Sequence, residues 1–179
     1  MIQRIQSFWL VLAACCMALC FMLPTAEYHA SKESGQTVEA ALNLVAKDAP
    51  DMLTQMSNGA EVVEYDQRAS GFKTWPLMAL AAIVAAIALI CIFLYKNRVI
   101  QMRLTAVGFL INVVYVFLLF FWAVDAYGKT VTQAMDATEL KVVWQAGAYA
   151  PIVAIVFFLL AHRGIKKDEM RVKAADRLR

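Results

Sequence analysis

A short basic turn separates two long apolar runs of this chain, and it reads Tyr95-Lys96-Asn97-Arg98-Val99-Ile100-Gln101-Met102-Arg103. The runs beside it extend from Trp75 to Leu94 and from Leu104 to Val124, and neither contains an acidic or basic residue. A helix of about 20 apolar residues is long enough to cross the hydrocarbon core of a bilayer. Because Lys and Arg are enriched in cytoplasmic loops, a turn with three cations and no acid is predicted to lie on the cytoplasmic side.

Two further apolar runs bring the number of predicted membrane spans to four. The spans are assigned to residues 5–23, 75–95, 104–124 and 142–161. Composition supports a membrane protein, since 61% of the residues are hydrophobic and only 17% are charged, against about 45–50% and about 25% in soluble domains. We therefore predict an all-α membrane protein, a bundle of four transmembrane helices that forms a single membrane domain over residues 1–179.

Basic and acidic residues alternate along the chain in the pattern expected when both termini are cytoplasmic. The segment 24–74 carries eight acids against four Lys or Arg residues, whereas the tail 162–179 carries seven Lys or Arg residues against three acids. This distribution predicts an acidic outside loop over residues 24–74, a second, short outside loop over residues 125–141 and a basic cytoplasmic helix at the C-terminus.

The long acidic loop contains weak signals for local structure. Thr37 suits the N-cap of a helix, and Val38, Leu42 and Val45 follow it at helical spacing. Residues 60–65 have the composition of a short strand after the turn signal Asn58-Gly59. The loop is expected either to be a solvated connector or to present a binding surface.

All four cysteines lie inside apolar runs, which predicts no disulfide framework. The stretch 12–15, Leu-Ala-Ala-Cys, resembles a bacterial lipoprotein cleavage box, so processing at Cys15 is one alternative for the N-terminus. Retention of this segment as the first span is the other, because the apolar run continues past Cys15 to Leu23. Cys16 and Cys20 would share a helix face, where small apolar packing residues are expected rather than a metal site.

Small and polar residues within the spans indicate where the helices pack against each other. Ala82 and Ala86 are spaced so that another helix backbone can approach closely, and Gly108 offers the same in the third span. Asn112 is a strongly polar side chain well inside a membrane run, and we expect it to bond to a neighbouring helix.

Three stretches resemble a known family: Met1 to Ser7, the turn Leu94 to Arg98 with Gln101 to Leu104, and the tail Ala161 to Glu169. They are similar to those of a family of uncharacterised four-span inner-membrane proteins from Bacteroidota, described as a domain of unknown function. The resemblance extends from one end of the chain to the other and implies a multi-pass protein of the bacterial inner membrane. It brings no activity, cofactor or site residue with it.

Few residues suit catalysis. His29 and His162 have no partner at metal-ligand or catalytic-triad spacing, and the sequence has no phosphate-binding glycine loop. We therefore predict that the protein is not an enzyme and has no catalytic residue, cofactor or metal. The spans lack the ionisable groups of coupled transporters, which argues against transport. A small oligomeric channel or transporter component is nevertheless kept as an alternative.

The favoured hypothesis is a non-catalytic membrane protein, namely a partner subunit, scaffold or assembly factor of an envelope complex. The cytoplasmic cations are predicted to contact anionic lipid headgroups, a membrane-protein partner or a second copy of the chain. Nucleic acid is not an expected partner. The alternative is that these charges only orient the chain. The cations are Arg4, Lys96, Arg98, Arg103, Arg163, Lys166 and Lys167.

Overall fold

The computed structural model describes residues 2–31, 37–45, 55–57, 60–65, 73–94, 97–135 and 139–177. The chain forms two compact units. Unit 1 comprises Met1–Leu19, Ala79–Val116 and Ala150–Arg179, and unit 2 comprises Cys20–Met78 and Phe117–Tyr149.

The described elements are mostly helices, with strands in the segments between them. The helices are α1 (Ile2–Met22), α2 (Trp75–Phe93), α3 (Arg98–Leu118), α4 (Val124–Met135) and α5 (Ala146–Arg177). A π-helical turn, Leu119–Ala123, joins α3 to α4. The strands are β1 (Ala26–Ser31), β2 (Thr37–Leu42), β3 (Gln55–Ser57), β4 (Ala60–Tyr65) and β5 (Glu139–Trp144).

Three helical segments among the described residues are long and apolar enough to cross a membrane, namely Trp75–Phe93, Arg98–Gln133 and Ala146–Val172. The apolar segment of α1, Gln6–Met22, is shorter. These lengths indicate a membrane protein. Helix α2 begins at Trp75 with Pro76 in its first turn, where the missing proline N–H costs no hydrogen bond.

The core of unit 1 is mostly apolar, and its helices approach each other closely at Gly108. A Cβ added there would lie 2.8 Å from Cγ2 of Ile87 and 3.0 Å from the ring of Phe158. Phe158 is itself completely buried. Since only hydrogen fits between these side chains, Gly108 allows α3 to pack against both α2 and α5.

Unit 2 contains a five-stranded sheet in the order β3-β4-β2-β1-β5. Strand β1 pairs antiparallel with both β2 and β5, β2 pairs parallel with β4, and β3 pairs antiparallel with β4. Alternate residues of β1, namely Ala26, Tyr28 and Ala30, are buried in a core that also holds Tyr127 and Val131 of α4. One face of the sheet is therefore packed against α4.

The sheet corrects two predictions and confirms a third. The chain is mostly helical as predicted, but an all-α fold omits these five strands. The helix predicted after Thr37 is wrong, because residues 37–42 form β2. The apolar spacing of Val38, Leu42 and Val45 fits a helix locally, but pairing with two distant strands decides the structure. The short strand predicted at 60–65 is confirmed as β4.

The segment 125–141, predicted as a loop, is instead mainly structured. Helix α4 continues the helical path through Asp125 to Met135, and β5 begins at Glu139. Helix α5 accordingly begins at Ala146, four residues after the predicted start of the fourth span. The helix continues past Asp125, the first charged residue after the apolar run, because Tyr127 and Val131 pack on the sheet.

Candidate functional site

A buried hydrogen bond joins the N-terminal helix to the C-terminal helix within unit 1. The side-chain amide of Gln6 donates to the carboxylate of Asp168 at 2.5 Å, and the two residues are only 4% and 9% exposed. Gly164 lies beside them, and a Cβ there would be 3.0 Å from Cγ of Gln6. Arg171 adds a longer contact, 3.9 Å from Asp168. The N-terminal stretch and the basic tail therefore hold each other in place.

A second buried contact fastens the hairpin that carries the basic turn. The side-chain amide of Gln101 donates to the backbone carbonyl of Cys91 at 2.9 Å. The last carbonyls of a helix have no partner within it, so Gln101 satisfies one such group near the end of α2. The hydroxyl of Thr105 donates in turn to the carbonyl of Gln101 at 2.8 Å. The turn between α2 and α3 is thus supported by side chains of α3, one of which bonds to the backbone of α2.

Five of the seven predicted cationic residues have side chains that the structure describes, and all five lie in unit 1. Lys96 lies outside the described residues, and Arg4 is part of α1 with its side chain undescribed. Arg98 is half-buried at the start of α3, and the four others are exposed. Within the described part of the chain, none of these five side chains forms an ion pair with a carboxylate. The exposed four are Arg103, Arg163, Lys166 and Lys167.

The predicted packing residues divide into two groups. Gly108 and Asn112 are buried, and the amide of Asn112 donates to the carbonyl of Pro151 at 3.1 Å, so α3 bonds to α5. The Oδ1 atom of Asn112 has no hydrogen-bond partner among the described residues. Ala82 and Ala86 are instead exposed, and the alanines of α2 that face the interior are Ala81 and Ala88. The predicted small-residue pair therefore lies on the exposed side of α2.

Unit 2 contains a cavity that the sequence analysis did not anticipate. It has a volume of about 300 Å³ and opens between α4, β1 and β5. Asp125 and Lys129 on its wall form an ion pair at 2.6 Å, and their side chains are 60% and 70% exposed. Exposed pairs at this helical spacing stabilise by only about 0.3–0.5 kcal/mol. The remaining lining residues are Tyr28, Phe120, Val124, Gly128, Thr132, Leu140 and Val142.

Tyr28 anchors the wall of this cavity. Its hydroxyl donates to the carbonyl of Val124 at 2.9 Å, and its ring meets that of Tyr127 edge-on at 5.2 Å. Burial raises the pKa of Tyr28 well above its usual value, and the nearby Tyr127 and Asp125 raise it further. The phenol therefore stays protonated and keeps its role as a donor throughout the physiological range.

The model of one protein family, a domain of unknown function named DUF4293, matches residues 2–178. The chain belongs to the DUF4293 family. Neither a curated protein nor a solved structure matches it. The match includes both ends of the chain, so Gln6 and Asp168 both lie inside the DUF4293 domain.

No group of three or more His, Cys, Asp or Glu residues suited to a metal gathers within the described part of this DUF4293 chain. His29 lies 3.3 Å from the carboxylate of Glu39 on the neighbouring strand. Cys15 is exposed on α1, whereas Cys20 is buried. The two histidines and the cysteines are thus distributed over several elements rather than gathered in one place.

The Gln6–Asp168 bond gives a direct test of how the DUF4293 termini are held. We expect Asp168→Ala to lower the free energy of unfolding by about 1–3 kcal/mol, because the buried Gln6 amide loses its acceptor. Asp168→Asn retains an oxygen acceptor and is expected to cost less. Thermal unfolding in detergent measures both, with Lys167→Ala as the exposed control. Equal melting temperatures for Asp168→Ala and Lys167→Ala would contradict this role.

Proposed function

We propose that this protein is a non-catalytic integral protein of the bacterial inner membrane that acts as a partner subunit, scaffold or assembly factor. The observation that supports this proposal most directly is the set of cations on α3 and α5 that pair with no carboxylate among the described residues. Unpaired, exposed cations remain available to anionic headgroups or to acidic residues of a partner. Near an anionic membrane surface each contributes on the order of 1 kcal/mol.

The two buried contacts of unit 1 make this charge arrangement suitable for recognition. Gln101 supports the hairpin that carries Arg98 and Arg103, and the Gln6–Asp168 bond holds the helix that carries Arg163 and Lys166. A partner then meets cations on helices that are already ordered, so little conformational entropy is lost on binding.

The strand pairing supports a four-span topology with both termini cytoplasmic. Strands β1 and β5 pair directly, although α2 and α3 lie between them in the chain. Two strands can pair only on one side of a bilayer, because exposed sheet edges are not tolerated within it. A chain that leaves that side through α2 and returns to it through α3 is consistent with four spans, and the positive-inside pattern assigns the basic turn to the cytoplasm.

Charge neutralisation tests the proposal. Replacing Lys96, Arg98 and Arg103 together by Gln is expected to weaken the retention of partners in cross-linked native membranes. The matched control replaces Arg68, Lys73 and Lys141 by Gln, which removes the same number of charges from the predicted outside segments. Topology reporters at the C-terminus and mass spectrometry of co-purified proteins provide the readouts. Unchanged orientation with unchanged partners in the first variant would overturn the proposal.

A second candidate is a small channel or transporter component formed by several copies. The specific observation in its favour is Asn112, a completely buried amide whose Oδ1 atom lacks a partner among the described residues. Solute-specific flux in liposomes that disappears in Asn112→Leu would support this candidate. Absence of flux in the wild-type protein would remove it.

Processing at Cys15 is the remaining alternative for the N-terminus. It would remove Gln6 and with it the partner of Asp168, whereas retention preserves the contact. The intact mass of the purified protein distinguishes the two forms, and we propose that the full-length form predominates.

A further inference from the structure

The cavity of unit 2 lies where the apolar part of a long helix gives way to polar sequence. No charged residue occurs from Leu104 to Val124, and Asp125 is the first charge after that run. A stacked aromatic pair, Phe120 and Trp144 with ring centroids 4.6 Å apart, lies beside it. Aromatic side chains of this kind concentrate at the boundary between hydrocarbon and water. This combination of residues is typical of the depth at which lipid headgroups meet their acyl chains.

The inner wall of the cavity is apolar and has room for part of a hydrocarbon chain. Phe120, Leu140 and Val142 contribute apolar surface. Gly128 lets α4 approach the sheet closely, because a Cβ at that position would be 3.2 Å from Leu140 and 3.3 Å from Tyr28. The volume of about 300 Å³ is at the lower end of the range for small-molecule sites. This volume suits the headgroup and the start of one acyl chain rather than a whole lipid molecule.

The outer wall carries one charge of each sign. Asp125 and Lys129 pair with each other, but both are mostly exposed, so either can exchange its partner for a ligand at little cost. A carboxylate accepts hydrogen bonds from a primary ammonium, and a lysine donates them to a phosphate. A zwitterionic headgroup with both groups therefore matches the pair. A quaternary ammonium has no N–H to donate, so a choline headgroup satisfies only half of it.

We propose that this cavity binds a zwitterionic phospholipid with a primary amine, such as phosphatidylethanolamine. Asp125 accepts from the ammonium, Lys129 donates to the phosphate, and the start of an acyl chain packs against Phe120, Leu140 and Val142. The assignment is independent of the cations of unit 1, which favour anionic groups. It gives the sheet-bearing unit a lipid specificity of its own.

Trp144 provides a built-in probe for the test. The full chain with Trp9, Trp75 and Trp122 replaced by Phe retains one tryptophan, which stacks on the cavity wall. It is reconstituted into phosphatidylglycerol vesicles containing an equal fraction of brominated phosphatidylethanolamine or brominated phosphatidylcholine. Quenching of Trp144 is expected to indicate a preference of about 1.5-fold to 5-fold for the ethanolamine lipid, the range given by one exposed charge pair.

Variants of α4 separate a specific site from general lipid contact. Thr132→Phe fills the cavity and Asp125→Asn removes the negative charge that pairs with the ammonium, so both are expected to abolish the preference. Thr130→Phe is the matched control, because Thr130 is also part-buried and bonds to a backbone carbonyl of α4 but does not line the cavity. The Thr130→Phe variant is expected to retain the preference for the ethanolamine lipid.

Two outcomes would overturn the proposal. Equal quenching by both brominated lipids in the parent protein would mean that Trp144 only touches bulk lipid. A preference that survives in both Thr132→Phe and Asp125→Asn would place the selective contact elsewhere. Thermal unfolding is recorded for each variant, and if Thr132→Phe unfolds, Asp125→Asn, which changes no packing volume, decides the result.

Discussion

Gly147→Ala is expected to lower the free energy of unfolding by about 1–3 kcal/mol or more, the range found when an extra methyl group has no space. A Cβ at this position would lie 2.5 Å from the carbonyl oxygen of Pro24 and 2.8 Å from that of Leu23. The backbone N–H of Gly147 also donates to Pro24 at 3.0 Å. Because both obstacles are backbone atoms, no rotamer change can relieve the clash, and the segments must separate.

Gly164→Ala is the matched control for this substitution. There the new methyl group would meet Cγ of Gln6 at 3.0 Å, which is a flexible side chain rather than backbone. Replacing a helical glycine by alanine gains roughly 0.5–1 kcal/mol in propensity. We therefore expect a change near zero or a small stabilisation, measured by thermal unfolding in detergent. Equal losses for Gly147→Ala and Gly164→Ala would show that the backbone contact at Gly147 is unimportant.

Tyr28→Ala is expected to cost about 3–5 kcal/mol, as is usual for removing a large buried aromatic side chain. Tyr28 is completely buried and contacts both the ring of Tyr127 and the carbonyl of Val124. Tyr28→Phe retains the ring, so its expected loss is only about 0.5–1.5 kcal/mol, the net value of one hydrogen bond. Denaturant unfolding of both variants, followed by circular dichroism of the sheet, separates the two contributions.

The same residue gives a pH dependence with a defined sign. Because burial raises the pKa of Tyr28 in the folded state above the value of about 10 in the unfolded chain, the folded state retains its proton longer. Its stabilising contribution is complete below pH of about 10 and is lost as the pH rises from there towards the folded-state pKa. We expect the wild-type protein to lose stability in that window relative to Tyr28→Phe. If the difference in stability between the wild-type protein and Tyr28→Phe stays constant over this pH range, the raised pKa of Tyr28 is contradicted.

The helical part of the fold follows from short-range sequence signals, because an apolar run of sufficient length predicts a span on its own. Helix α2 begins at Trp75, the residue at which the sequence places the start of the second span. The sheet is less evident from the sequence than the helices are. Strand β1 alternates buried Ala26, Tyr28 and Ala30 with more exposed neighbours, a visible period of two, but its stability depends on β5, which lies more than a hundred residues away.

Charge alone selects the predicted binding residues, whereas the contacts that support their helices are evident only from the structure. Lysine and arginine counts identify the cationic positions without any knowledge of packing. The pairing of Gln6 with Asp168 joins residues 162 positions apart, and no local pattern connects them. The cavity beside Asp125 is not evident from the sequence for a related reason. Charge and hydropathy predict a loop for its charged pair, whereas the spacing of Val124, Tyr127 and Val131 fits the helix α4 that carries the pair.

The position of β1 between β2 and β5 has a consequence for how the protein is made. Its hydrogen-bonding groups face β2 on one side and β5 on the other, and the ribosome completes β5 only after α2, α3 and α4 have been synthesised. Until then the growing polypeptide exposes an open edge, the kind of surface that joins foreign strands and causes aggregation. We therefore expect correct assembly to require that this edge stays shielded, by a chaperone or by rapid insertion of the hairpin, until the last strand arrives.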